Sequence, residues 1–328
     1  MRNRQDVLIL SPDRDGIQCD WEHTRPLHIC AVFPVAGRWL LRRALKVRPI
    51  LLKERPDTVH SGRECSNQTE SNPEERPAVS FIIGHRGMER LPHLLATLRS
   101  IAGQTGVGFE CIVVEQDNEP LVRDRLPAWV RYVHTPLPEN NLPYNRSWAF
   151  NEAAQVARGD VLILHDNDLM VSHDYAAESV RAYQAGYEVA QLKRFIFYLN
   201  EVDSTQLMSM EKIPSGICSD YVIENACGGG SIAISRKVYW DIGGMDEAFV
   251  GWGGEDQEFW DRCLTRKVWH YAMLPIIHLW HAPQLGKRAI NGNGALTAEL
   301  TAQRRAIPAL ERIEELKTRN LGASVGFK

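Results

Sequence analysis

Val161-Leu162-Ile163-Leu164-His165-Asp166-Asn167-Asp168 is the stretch that decides how this chain is read. Four consecutive apolar residues predict a strand buried on both faces. The run stops at two carboxylates separated by one residue. In extended backbone an i, i+2 pair faces one way, so Asp166 and Asp168 can serve one ligand. Hard oxygen ligands of this kind suit Mn²⁺ or Mg²⁺, ions that keep diphosphate oxygens as further ligands. Such a triplet also occurs in plain turns, because Asp and Asn favour turns after strands. The surrounding sequence has to separate the two.

Working outward, strand and helix patterns alternate. Residues 79–83 (VSFII) predict a buried strand, and Leu91, Leu94, Leu95, Leu98 and Ile101 have helical spacing. Strands are expected at 110–115, 130–133, 160–164 and 231–234. Helices are expected at 145–157, at 172–185 with Ser172 as cap, at 236–240 and at 257–265. Residues 189–199 and 267–277 read as extended. Residues 297–317 read as a polar helix or helix pair broken at Pro308. The expected fold class is α/β, a mixed sheet flanked by helices, with ligands beyond the carboxyl ends of the strands.

Residues 61–77 (SGRECSNQTESNPEERP) have the composition of a linker. The expected organisation is an N-terminal extension at 1–60, this linker, an α/β domain at 78–290 and a helical segment at 291–328. Within the extension, 7–10 and 27–33 could be strands. Residues 38–45 form a basic amphipathic pattern, with Arg38, Arg42 and Arg43 and the nearby Lys46 and Arg48. It suits either peripheral contact with the inner face of a membrane or a solvated helix face.

The 328 residues carry a formal net charge of -3, which argues against nucleic acid as a partner. No apolar run reaches the length of a membrane span. The seven cysteines are scattered with no C-x-x-C, so reduced thiols and a cytoplasmic location are expected. Neither G-x-G-x-x-G nor a Walker lysine loop is present.

Four further places carry chemistry. Gly84-His85-Arg86-Gly87 ends the first strand, where Arg86 could meet a phosphate or be a surface arginine. Asp117, after the second strand, could bind a ribose or a base, or form an Asx turn. Gly251-Trp252-Gly253-Gly254-Glu255-Asp256-Gln257-Glu258 packs a Trp, flexible glycines and three carboxylates together. The acids could simply complement a helix dipole, and Trp252 could be core. Alternatively, the Trp is a mobile wall for a sugar. His278 and His281 follow another apolar stretch. An imidazole added to carboxylates would favour Mn²⁺ over Mg²⁺.

The order of 79–87, Tyr144-Asn145-Arg146, Asp166-Asn167-Asp168, Gly228-Gly229-Gly230-Ser231, Gly243-Gly244-Met245-Asp246 and 252–256 resembles the GT-A glycosyltransferases. It is most similar to the β-1,4-galactosyltransferase group and to family 2 enzymes of the chondroitin-polymerase type. The likeness covers roughly 78–287.

The resemblance implies a UDP-sugar donor, a glycan or glycolipid acceptor and a Mn²⁺ (or Mg²⁺) ion. Arg86, Asp117 and Arg146 would lie at the donor nucleotide. Asp168 would ligate the metal directly, and Asp166 would touch ribose, sugar or metal. Gly229 and Gly230 would precede the acceptor side, and Trp252 would be the mobile-loop tryptophan. Glu255 and Asp256 would be the acidic pair, with Asp256 the base of an inverting transfer. His281, rather than His278, would be the late metal ligand. Relatives usually carry Pro and an aromatic where this chain has Gly84-His85. A retaining polypeptide-GalNAc-transferase-like enzyme, which tends to have Asn at the Asp256 position, is one alternative. A non-catalytic nucleotide-sugar-binding subunit is the other.

Overall fold

The computed structural model describes residues 12–13, 16–17, 76–137, 142–193, 195–209, 219–224, 229–270, 274–282 and 293–321. The elements expected at 7–10, 27–33 and 38–45 lie outside the described residues. A two-residue ladder joins β1 (Pro12–Asp13) to β2 (Gly16–Ile17).

Two sheets build the rest. In the larger, β3 (Val79–His85), β4 (Phe109–Glu115), β5 (Arg131–His134) and β6 (Val161–His165) run parallel. β11 (Ser231–Ser235) pairs antiparallel with β6 and with β8 (Val189–Gln191), and β12 (Val268–His270) closes the far edge. The order is β12-β8-β11-β6-β3-β4-β5. The smaller sheet runs β10 (Tyr221–Glu224), β9 (Phe195–Tyr198), β13 (Ile276–His278), β7 (Leu169–Val171).

The alternation within β3 explains the layering. Val79, Phe81 and Ile83 face α1 (Leu91–Ala102) and α3 (Tyr175–Gln184), packing with Leu94, Leu98 and Val180. Ile82 faces the other way, into a core with Phe150 of α2 (Arg146–Val156), Tyr239 of α5 (Arg236–Asp241) and Trp260 of α6 (Glu255–Cys263). A strand covered on both faces has to be apolar at every position, apart from groups with partners. Ser80 and His85 are the polar members: the Ser80 hydroxyl donates to Glu110 at 2.7 Å, and His85 Nδ1 accepts from the Asn167 side chain at 3.0 Å.

Several boundaries depart from the pattern-based expectation. Residues 189–199 split between the two sheets as β8 and β9, and 267–277 split likewise into β12 and β13. Ser172 does not cap α3, which starts at Tyr175. Gln104 from the end of α1 takes that role, donating to the Ser172 carbonyl at 2.7 Å and accepting from the Ala176 amide at 2.8 Å. Helix α4 (Glu201–Ser209) carries no strong apolar periodicity. The terminal segment is a pair, α7 (Asn293–Ala306) and α8 (Ala309–Lys317), parted at Pro308.

That pair is tied to the domain through buried charge. Glu258 of α6 is fully buried between Arg262, at 2.5 Å, and Arg312 of α8, at 2.8 Å. Arg262 also donates to the Ile242 and Gly244 carbonyls at 2.6 Å. Buried charges need this degree of pairing to be tolerated. Glu258 is therefore a structural acid that anchors α6.

Candidate functional site

The site forms where β6 leaves the large sheet and β7 enters the small one. The link between them is Asp166-Asn167-Asp168. β13 lies antiparallel to β7 with His278 opposite Leu169, and the Leu279 amide donates to the Asp168 carbonyl at 2.9 Å. That register brings the His278–His281 segment alongside Asp168, although the two are separated by more than a hundred residues of chain.

Asp168, His278 and His281 each offer a ligand atom, all within 4.8 Å of one another. Asp168 Oδ2 is 3.4 Å from His281 Nε2 and 3.8 Å from His278 Nε2. His281 Nδ1 is 2.7 Å from the Ala282 carbonyl, to which it donates, so Nε2 presents a bare lone pair toward the carboxylate. Burial and the nearby Arg90 lower the pKa of His281, keeping that ring neutral. Burial alone would raise Asp168, but His278 and His281 in their protonated forms pull it down, and the Arg90 guanidinium does so whatever the state of the rings. A carboxylate and a neutral imidazole facing each other without a proton between them fit a divalent cation, and three protein ligands leave positions for diphosphate oxygens. The His278 ring is fixed by stacking on Tyr198 at 4.2 Å between centroids, and Tyr198 stacks on the exposed Tyr221 at 4.7 Å.

Asp166 turns the other way. Its Oδ1 receives Arg146 Nε at 2.7 Å, while Arg146 Nη1 reaches Asp256 Oδ1 at 2.5 Å and Glu255 Oε1 at 3.7 Å. Arg146 is the first residue of α2, after Asn145, whose side chain accepts from the Trp148 amide. Glu255 and Asp256 open α6. Two helix N-termini thus converge, and one guanidinium among three carboxylates joins the Asp-x-Asp link to the acidic pair. Burial, reinforced by the Asp256 charge, lifts the pKa of Glu255 to about 7. Burial also lifts Asp166 to about 6, reinforced by Asp168 and Asp256 and opposed by Arg146.

The glycines have defined reasons. A Cβ at Gly229 would lie 2.8 Å from Asp256 Oδ2. Gly230 has φ +83°, and its carbonyl accepts from the Asp166 amide at 2.9 Å. Gly251, Gly253 and Gly254 all have positive φ. Between them Trp252 is 46% exposed, and its carbonyl accepts from Thr297 of α7 at 2.9 Å. Trp252 is therefore a surface ring on an unusual backbone, not a core residue.

Arg86 and Asp117 sit at neighbouring strand ends, after β3 and β4. Arg86 donates to the Leu142 carbonyl at 2.6 Å, and Asp117 accepts from the Asn118 amide at 2.9 Å. Their described hydrogen bonds go to backbone and not to the carboxylate cluster.

Sequence reasoning missed Arg90, which reaches Asp168 Oδ2 at 2.5 Å, and the buried His93, which contacts the Trp280 carbonyl at 2.8 Å. It also missed Asn151, which holds the Met245 amide at 2.9 Å and carbonyl at 2.9 Å beneath the Gly243-Gly244 turn.

Two family models match in succession. Glycosyl transferase family 2 covers residues 88–243, and a model described as the N-terminal domain of galactosyltransferase covers 219–275. Together they span the Asp-x-Asp link, the Gly229-Gly230 turn and the acidic helix of the mixed α/β domain. This chain is a family 2-like glycosyltransferase of the GT-A type.

No curated protein matches the transferase in sequence. Among solved structures it is similar to the catalytic domain of Drosophila beta1,4galactosyltransferase 7 in complex with xylobiose. That likeness has 16% identity and a TM-score of 0.40, over 69% of this chain and 79% of that one. It is also similar to the mannosyltransferase PcManGT from Pyrobaculum calidifontis in complex with GDP-Man and Mn²⁺. There the identity is 15% and the TM-score 0.47, over 86% of this chain and 77% of that one.

Proposed function

We propose that this nucleotide-sugar transferase moves a hexose (Gal, GalNAc, GlcNAc or a relative) from a UDP-sugar to a hydroxyl of a glycan or glycolipid acceptor. Transfer inverts the anomeric centre and requires a divalent cation, Mn²⁺ or Mg²⁺. The observation that carries this reading is the convergence of Asp168, His278 and His281 beside the Asp166–Arg146–Asp256 bridge.

Asp168 and the two histidines would hold the cation, with His281 the better oriented of the pair. A bound ion there would supply Lewis-acid neutralisation of the departing diphosphate. Asp256 is the base. Its Oδ1 is held by Arg146, and Oδ2, beside Gly229, accepts the proton of the acceptor hydroxyl as that oxygen attacks. Gly229, having no side chain, leaves room for that carboxylate oxygen. Glu255, with its raised pKa, can keep a proton near neutrality and donate a hydrogen bond to the acceptor. Trp252, on its glycine hinges, covers the donor sugar and limits hydrolysis by water. Arg86 and Asp117 bind the nucleoside end at the β3 and β4 termini.

The test is a panel of UDP-sugars with Mn²⁺, with and without chelator, scored for donor hydrolysis and for transfer to glycan acceptors. Metal-independent turnover, or no turnover of any UDP-sugar, would contradict the proposal.

A further inference from the structure

Arg90 is out of place by the rules of helix ends. It occupies the cap position of α1, where Ser, Thr, Asp or Asn is favoured and where the helix dipole disfavours a cation. Its guanidinium lies against the link between the sheets. Nη2 is 2.5 Å from Asp168 Oδ2 and 3.3 Å from Asn167 Oδ1, and the side chain is only 18% exposed. The oxygen it holds is the same one that faces His281 at 3.4 Å and His278 at 3.8 Å. A positive charge therefore stands at the mouth of a cation site, on the oxygen a metal would share. Two cations at that separation repel strongly in a partly desolvated site.

We infer that Arg90 is a resident cation that exchanges with the divalent ion at Asp168 and then turns its fork to the diphosphate of the donor. This rests on the metal dependence proposed above. With Arg90 on Asp168, the carboxylate is neutralised and the free protein resists a metal ion arriving alone. A diphosphate offers the displaced guanidinium a bidentate partner, so metal and nucleotide favour each other's binding. Arg90 thus sets the coupling between the two ligands.

The experiment is calorimetric titration of the full chain with Mn²⁺, alone and in the presence of UDP, for wild type, Arg90→Met and Asp168→Asn. Wild type is expected to bind Mn²⁺ weakly alone and more tightly with UDP. Arg90→Met is expected to bind Mn²⁺ alone about tenfold more tightly, as removal of one adjacent positive charge implies. In that variant UDP should strengthen Mn²⁺ by a smaller factor than in wild type. Should Arg90→Met fail to fold, Arg90→Gln is read the same way. Mn²⁺ affinity in the Arg90 variant equal to or weaker than wild type, with Asp168→Asn having lost the metal, overturns the inference alone. No Mn²⁺ binding by wild type even with UDP defeats the metal dependence itself, and the inference with it.

Discussion

Arg146 Nη1 lies 2.5 Å from Asp256 Oδ1 while its Nε lies 2.7 Å from Asp166 Oδ1. One side chain therefore spans the two acidic motifs of the sequence. Arg146→Met should leave three carboxylates without their shared counter-charge. Loss of a partner from a buried pair costs about 3–5 kcal/mol, and partial exposure of Asp166 and Asp256 reduces this to roughly 1–3 kcal/mol here. Urea denaturation reads it. A variant as stable as wild type would show that the bridge does not organise the site.

Asp256→Asn preserves size and helix-opening chemistry but removes the proton acceptor. Turnover should fall by ~10²–10⁴-fold with donor affinity intact. Near-normal transfer would assign the base elsewhere, with Glu255 the next candidate.

Gly229→Ala tests the same carboxylate from its other side. The added Cβ would lie 2.8 Å from Asp256 Oδ2. Turnover is expected to drop by about tenfold or more, because the crowded oxygen is the one that takes the acceptor's proton. Unchanged turnover would mean that Asp256 can move freely without consequence.

The two histidines should differ. His281 has its proton fixed on Nδ1 by the Ala282 carbonyl and its Nε2 closer to Asp168. His281→Ala should weaken Mn²⁺ binding more than His278→Ala in parallel titrations. The reverse order would make the stacked His278 the principal nitrogen ligand.

Glu255 also makes a pH signature. Its folded pKa, about 7, lies above the ordinary glutamate value. The native state then holds a proton that the unfolded chain releases, so this group's contribution to stability falls as pH rises from about 4.5 to 7. Glu255→Gln should flatten the melting-temperature profile across that window. An identical slope in the variant would show that Glu255 ionises as freely in the folded protein as in the unfolded one.

Much of the framework was legible in the sequence because it is local. The apolar run before Asp166, the spacing of Leu91 to Ile101 and the break at Pro308 each follow from a few neighbouring residues. The acids at 166, 168, 255 and 256 were visible as types in patterns. What they touch was not. Arg90 meets Asp168 across 78 positions and Arg146 meets Asp256 across 110, and no period or motif carries such information. The splitting of 189–199 and 267–277 was hidden for a related reason. An extended pattern does not reveal that the chain leaves one sheet for another. One signal was present and unused, since an arginine at the cap of α1 and another opening α2 both oppose the helix dipole and so require acidic partners.

The most direct measurement of the central claim is the anomeric configuration of the product, read by proton NMR on early time points with an active UDP-sugar, acceptor and Mn²⁺. The α-linked donor sugar should appear β-linked in the product, as single displacement assisted by Asp256 requires. A product that keeps the α configuration would contradict the account.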